Sequence, residues 1–450
     1  MVTIDWGLFE KSKSVKMFYW VSNYPESFIL FLIAFFCLLQ AWWLKKDFFS
    51  PANVYCFTQT LSLGVAYLQL DKMMTPFHLK TWLFWGGALL SFLMGASLLK
   101  LLYKSKASIP SFDKVEAQYQ YNWSLHVLLS FIPFIFFLIG IYGIIQKAGT
   151  LLVFTDNPSK WMTKEISYGY FAIMFSSGPL VVLSFGLAIF KRFNPYFTPR
   201  LIARIMVPMV IALNLMAYPN RTSLFMNLGF LLILSNYLRK KISSALILLV
   251  IIIAASFFMA LGMIRSQYAS DSVENVAIET AVELPYKYIA NNYWNFDYAI
   301  NPSVDRDFHP FTYGVDFFHG PFEYFKVGGA FRSSYGWDSP FNESIMKEKG
   351  YNTVSYLWEI YKDLGVFGVF ILPFFASFLL YFLFYKIQNP LSPKVIMFYT
   401  LLIYFVAWWW FSPAYKNGMH WFWFLFIFWI TSVCKRKSPV KELSSFVVKD

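Results

Sequence analysis

Charge is scarce in this chain. Of its 450 residues only 14% are Asp, Glu, Lys or Arg, where soluble domains carry roughly a quarter. Cysteine is rarer still. Cys37, Cys56 and Cys434 are its three positions, each in or at the end of an apolar run, which excludes a disulfide framework and any CxxC metal pair. No GxxxxGK[ST] loop, GxGxxG fingerprint, HExxH pair or EF-hand spacing occurs, so neither nucleotide-driven chemistry nor a familiar metal site is indicated. A secretory leader is also missing from the first 25 residues, because Lys11, Lys13 and Lys16 interrupt any apolar core. The first apolar run is therefore expected to be retained as a span. The net charge of +13 does not point to nucleic acid, since no soluble basic domain is there to carry it.

What is present is apolar sequence, 58% of the chain, gathered into runs near the ~20 residues a helix needs to cross hydrocarbon. The expectation is an all-α polytopic membrane protein with about eleven spans, ten to twelve. They fall near 27–44, 52–70, 81–103, 124–146, 168–190, 201–218, 222–237, 243–264, 365–385, 395–411 and 419–434. Only Pro219, Asn220 and Arg221 separate the sixth from the seventh, which makes that pair a tight helical hairpin. Lys and Arg cluster in alternate short connections: Lys45-Lys46, Lys104/Lys106/Lys114, Lys191/Arg192/Arg200, Arg239-Lys240-Lys241, Lys386/Lys394 and Lys435-Arg436-Lys437. Such clusters mark the cytoplasmic side. The connection 147–167 and the N-terminal arm, each with three lysines, run against that assignment.

One stretch departs from the pattern. Residues 265–350 hold twelve acidic and seven basic residues, two of the five histidines and nineteen aromatics. The segment is net acidic while the rest of the chain is strongly basic. It is expected to be a large extracytoplasmic loop of short helices between an N-terminal bundle (1–264) and closing helices (351–434), with a basic cytoplasmic tail at 435–450.

Chemistry-bearing residues concentrate on that side. Arg221 tips the hairpin in Tyr218-Pro219-Asn220-Arg221-Thr222-Ser223. A guanidinium fork suits phosphate oxygens, and a helix N-terminus adds free N–H groups; an interfacial snorkelling role competes with that reading. Arg265 ends the eighth span where the acidic segment begins, and Arg332 follows Gly328-Gly329. Pairing with an acidic neighbour such as Asp271, or a simple turn, are their structural alternatives. Acid/base candidates lie in 305–343, where His309 and His319 bracket Asp316, Glu323 follows, and Asp338 lies beyond. General acid–base work needs such tunable groups beside partners, although a structural role is the default for each. Tyr293, Trp294, Tyr313, Phe317, Phe318, Tyr324, Tyr335 and Trp337 are read as the core of a small cap or as platforms for sugar rings. Trp408-Trp409-Trp410, Trp421 and Trp423 are read as interfacial belts. Tyr356, Trp358, Glu359 and Tyr361 are placed at a water boundary before the apolar run that starts at Gly365. Intramembrane charge is nearly absent, which disfavours a transporter with buried ionisable groups.

Two segments carry a resemblance. The first is Asn220-Arg221-Thr222-Ser223-Leu224-Phe225, leading into an apolar helix that ends Arg239-Lys240-Lys241. The second is Asn352-Thr353-Val354-Ser355-Tyr356-Leu357, continuing Tyr361-Lys362-Asp363-Leu364-Gly365-Val366-Phe367-Gly368. Together with the order of parts from about residue 200 onward, they resemble the bacterial oligosaccharide repeat unit polymerases, the Wzy-type polymerases of O-antigen and capsule.

The resemblance implies an enzyme of the inner membrane that joins repeat units carried on undecaprenyl diphosphate at its external face. It implies a fold like that of membrane glycosyltransferases with polyprenyl donors, and no cofactor or metal. The growing chain is donor, and a sugar hydroxyl on the next unit attacks. Arg221, Arg265 and Arg332 would stabilise the leaving diphosphate. His319 or Glu323, with Asp316 and Asp338 behind them, would take the acceptor proton. Asn352, Tyr361 and Asp363 match the motif as positioning residues. Membrane lipids and a chain-length regulator are the expected partners; nucleic acid is not. Two alternatives stay open: an O-antigen ligase with the same donor, and a flippase or other transporter of lipid-linked oligosaccharide.

Overall fold

The computed structural model describes residues 24–43, 47–70, 74–102, 121–155, 174–191, 193–218, 221–250, 252–253, 256, 277–301, 314, 317–318, 321, 355–388, 392–411 and 418–435. Among the described residues the protein is all-helical. We number the helices α1 (Pro25–Trp43), α2 (Pro51–Ala66), α3 (Leu79–Leu102), α4 (Trp123–Leu129), α5 (Phe131–Ala148), α6 (Gly178–Ala188), α7 (Phe197–Ala217), α8 (Arg221–Leu238), α9 (Ala277–Ile300), α10 (Tyr356–Gln388), α11 (Pro393–Ala407) and α12 (Gly418–Val433).

Among the described residues, four stretches are long and apolar enough to cross a membrane: Leu79–Leu102, Trp123–Phe154, Phe197–Ala217 and Tyr356–Ile387. Shorter apolar helices cover Pro25–Ala41, Gly178–Ala188, Thr222–Leu238, Pro393–Ala407 and Gly418–Val433. Their surfaces suit hydrocarbon. On α3, Leu79, Leu83, Leu90, Met94 and Leu101 face outward; on α10, Val366, Phe367, Ile371, Phe375 and Leu379 do the same. Rows of exposed apolar side chains this long are costly in water and ordinary against lipid.

The chain forms two compact units. One comprises Met1–Leu102, Ile242–Tyr381 and Phe405–Gly418; the other comprises Tyr103–Lys241, Phe382–Tyr404 and Met419–Asp450. In the second unit, Asn122 caps α4 by accepting the Leu125 N–H at 3.1 Å, as side-chain oxygens do at helix starts. His126 ties α4 to α6 there. Its Nε2 contacts the Ser184 carbonyl at 3.1 Å and its Nδ1 the Tyr121 hydroxyl at 2.8 Å. Both ring nitrogens are thus occupied, and the residue is buried.

The first unit is built on close approach. Gly87, Ser91 and Gly95 recur every four residues and line one face of α3. A Cβ on Gly87 would sit 2.2 Å from the Phe370 ring, and one on Gly95 2.4 Å from the Phe374 carbonyl oxygen. Ser91 Oγ donates to the Phe370 carbonyl at 2.5 Å. Small residues of this kind let two backbones meet where no hydrophobic force between helices is available. α9 packs on α2 and α3. It is a 24-residue helix, longer than the short helices expected for the polar segment. Its inner side carries Tyr286, Ala290, Tyr293, Phe296 and Ile300, all buried, and that 3–4 spacing sustains one continuous helix.

Three aromatic expectations need correction. Tyr356 is fully buried, with its hydroxyl 2.5 Å from that of Tyr55. Trp409 is also buried, stacked on Tyr356 at 4.6 Å and edge-on to Tyr55 at 6.2 Å. Trp423 packs against His420 and Phe230 in the second unit. The first was expected at a water boundary and the other two in interfacial belts. Each instead finds ring partners distant in sequence, so span-end position did not reveal core packing.

α10 is broken at Gly365, whose φ of 62° and ψ of −150° lie in a region open only to glycine. The break separates the segment bearing Glu359, Tyr361 and Asp363 from the apolar run beyond. Gly368 completes the corner, because a Cβ there would meet the Ile360 carbonyl oxygen at 2.7 Å. Gly365→Ala should destabilise the protein by about 1–3 kcal/mol. Thermal unfolding in detergent checks this; an unchanged melting temperature would contradict the strained corner.

Candidate functional site

The densest polar construction in the first unit surrounds Asp297, in the last turn of α9. α9 stops at Asn301 because Pro302 follows: proline has no N–H, and its ring disfavours a helical residue before it. Asn301 secures the end by donating from Nδ2 to the Asp297 backbone carbonyl at 2.9 Å.

The Asp297 side chain reaches across to the start of α3. Its Oδ1 accepts the His78 backbone N–H at 2.8 Å, the Thr81 hydroxyl at 2.5 Å and Asn301 Nδ2 at 3.4 Å. Its Oδ2 lies 2.9 Å from His78 Nδ1. A carboxylate from one helix thereby caps the N-terminus of another, where negative charge is favoured. Buried carboxylates are tolerated when their lone pairs are filled in this way.

The same bonds orient His78. An ionised carboxylate only accepts, so Nδ1 carries the proton toward Asp297, and in the neutral ring Nε2 is then the nitrogen with the lone pair. The His78 side chain is 57% exposed while that of Asp297 is 3% exposed. The imidazole is thus the solvent-exposed half of a pair whose carboxylate is buried. Lys80 follows two residues later in α3. Its ammonium donates to the Ile300 carbonyl at 2.6 Å, neutralising the electronegative end of α9. It also lies 5.7 Å from the Phe84 ring centre and 6.0 Å from that of Tyr361. Phe84, Phe296 and Tyr361 contact one another beneath it. Phe77, next to His78, packs against Tyr67 and Trp82.

Tyr361 and Asp363 lead from this cluster into the polar segment. Asp363 is buried. Its Oδ1 accepts the Gly314 N–H at 2.8 Å and its Oδ2 the Phe317 N–H at 3.0 Å. Gly314 has a φ of 93°, a conformation glycine adopts without strain. One side chain at the head of α10 therefore fixes a turn of a segment some fifty residues earlier. Glu359 and Lys362 pair at 3.1 Å nearby.

Below the cluster lies a layer of neutral hydroxyls. Tyr293 meets Ser62 Oγ at 2.5 Å and Gln59 Oε1 at 3.5 Å. Burial above all pushes the Tyr293 phenol upward, so it stays protonated and serves as a hydrogen-bonding group. Tyr293 and Trp294 are accordingly core residues; Phe318 remains exposed. Among the described residues, no three His, Cys, Asp or Glu side chains form a metal-binding group.

The other expected site residues fare differently. Arg221 opens α8, with its side chain outside the description. Arg265, Arg332, Asp316, His319, Glu323, Asp338 and Asn352 lie outside the described residues. Sequence reasoning passed over His78, Lys80, Thr81 and Asp297. His78 sits in a short connection between apolar runs, and its carboxylate partner lies 219 residues away, so no local spacing signals the pair. Set against known protein families, characterised proteins and solved structures, the chain has no match.

Replacing Asp363 with Ala removes the acceptor for two amides. Hydrogen exchange at Gly314 and Phe317 should then rise by at least tenfold, the equivalent of about 1.4 kcal/mol, with α3 unaffected. Unchanged exchange at both amides would show that Asp363 does not anchor that turn.

Proposed function

We propose that this chain is a membrane glycosyltransferase of about eleven spans, working at the outer face of a bacterial inner membrane. It joins oligosaccharide repeat units carried on undecaprenyl diphosphate, as a Wzy-type polymerase of O-antigen or capsule does. The observation that carries the reading is the joint at the head of α10. The residues behind the resemblance form it: Asp363 holds the turn at Gly314 and Phe317, and Gly365 and Gly368 shape the corner beyond. An apolar bundle is thereby tied to a polar, aromatic-rich segment, an arrangement suited to a substrate with a lipid tail and a sugar head.

In this reaction the growing chain is donor. A hydroxyl of the incoming unit attacks the anomeric carbon, and lipid diphosphate departs with the electron pair of the broken C–O bond. Arg221, Arg265 and Arg332 are proposed to stabilise the charge that develops on the diphosphate. Fixed cations of this kind contribute roughly 10²–10³ in rate each. Membrane lipids and a chain-length regulator remain the expected partners.

The test is incubation of the purified protein with a single lipid-linked repeat unit. A ladder of products is expected. One transfer to a lipid A core acceptor without a ladder would indicate a ligase, and movement between leaflets without bond formation a flippase. Arg221→Ala and Arg265→Ala should each remove long chains while the protein stays inserted; normal ladders from both would refute their role.

A further inference from the structure

We infer that His78, held by Asp297, is the general base that activates the acceptor hydroxyl, a catalytic assignment that rests on the glycosyl-transfer reading. A base must present a lone pair to substrate and be oriented by a third group. His78 meets both conditions: Nδ1 is tied to a buried carboxylate at 2.9 Å, which leaves Nε2 as the second ring nitrogen of a side chain that is 57% exposed. His126 supplies the contrast, since both its nitrogens are consumed by Tyr121 and Ser184.

The surroundings fit a sugar. Trp82 is half-buried and packs against Phe77, the residue before His78. A flat apolar ring of this kind matches the C–H face of a pyranose. Among the described residues, the charged and titratable groups at this corner are Asp297 from α9, Lys80 from α3 and Tyr67, which packs on Phe77, with Tyr361 of α10 beneath the lysine. The carboxylate stabilises the imidazolium formed on proton transfer.

The step balances as follows. The acceptor O–H bond breaks and its proton passes to His78 Nε2. The acceptor oxygen forms the new bond to the donor's anomeric carbon. The bond from that carbon to the diphosphate oxygen breaks, and the electron pair leaves with the lipid diphosphate. The imidazolium then releases its proton to water.

His78→Ala is the informative variant. The side chain is exposed, and its removal leaves the backbone and Thr81 bonds to Asp297 in place, so the cap on α3 persists. Elongation of a lipid-linked repeat unit should fall by roughly 10²–10⁴, and added imidazole should restore part of the rate. His78→Gln should be as slow and resist rescue. Asp297→Asn should also be slow; because it disturbs the cap, its melting temperature is measured alongside. Normal elongation by His78→Ala, beside an active wild type, overturns this assignment and leaves the polymerase reading intact. A slow His78→Ala that imidazole fails to rescue, with an unchanged melting temperature, likewise contradicts proton transfer at this position. Absence of product from the wild type overturns the polymerase reading, and this base with it.

Discussion

A single buried carboxylate organises the polar end of the first unit. Asp297 belongs to the final turn of α9, where the helix dipole is least hospitable to negative charge. The position is viable because the carboxylate meets the N-terminal end of α3, the Thr81 hydroxyl and the His78 ring, while Lys80 covers the exposed carbonyl of Ile300. Losing the buried Thr81 hydroxyl or the His78 backbone amide would leave charge incompletely satisfied, where the penalty for a missing bond exceeds the worth of the bond itself; the exposed His78 ring is the donor that water can replace. Fold and site are thus coupled: the contact that seats α9 on α3 is also the one that sets the imidazole.

That contact works only because the helices around it are already fixed. Gly87, Ser91 and Gly95 bring α3 against α10 at backbone distance. The phenols of Tyr55 and Tyr356 satisfy each other, and that of Tyr293 pairs with Ser62, within the buried layer. Neutral hydroxyls suit this layer, because they bond in pairs without the desolvation cost of ions. Charge is kept out of this layer: the buried carboxylates Asp297 and Asp363 are each satisfied by hydrogen bonds, and Glu359 pairs with Lys362. The break at Gly365 then lets the head of α10 turn so that Asp363 reaches the polar segment.

The helical, membrane-type architecture was legible in the sequence, because runs of apolar residues near bilayer length have few other uses. The change of character at Gly365 was legible too: the apolar run begins there, and the glycine supplies the bend. The polar segment was marked by composition, but its opening as one long helix was not, because α9 mixes buried asparagines and Asp297 with its aromatics and so blurs the apolar stripe. Tyr356, Trp409 and Trp423 illustrate a second limit. A ring near the end of a span suits a headgroup belt or a core equally well, and only the tertiary partner decides. His78 and Asp297 mark the third. Neither residue belongs to a motif, and the pair exists only once α3 and α9 have packed.

The central claim is that an acceptor sugar docks with a hydroxyl at Nε2 of this histidine. A structure of the protein bound to a lipid-linked repeat unit addresses it most directly. The account predicts a sugar oxygen about 3 Å from His78 Nε2, with the ring still bonded to Asp297 and the sugar lying near Trp82. A bound sugar seated away from this corner, with Nε2 facing only bulk water, would contradict it.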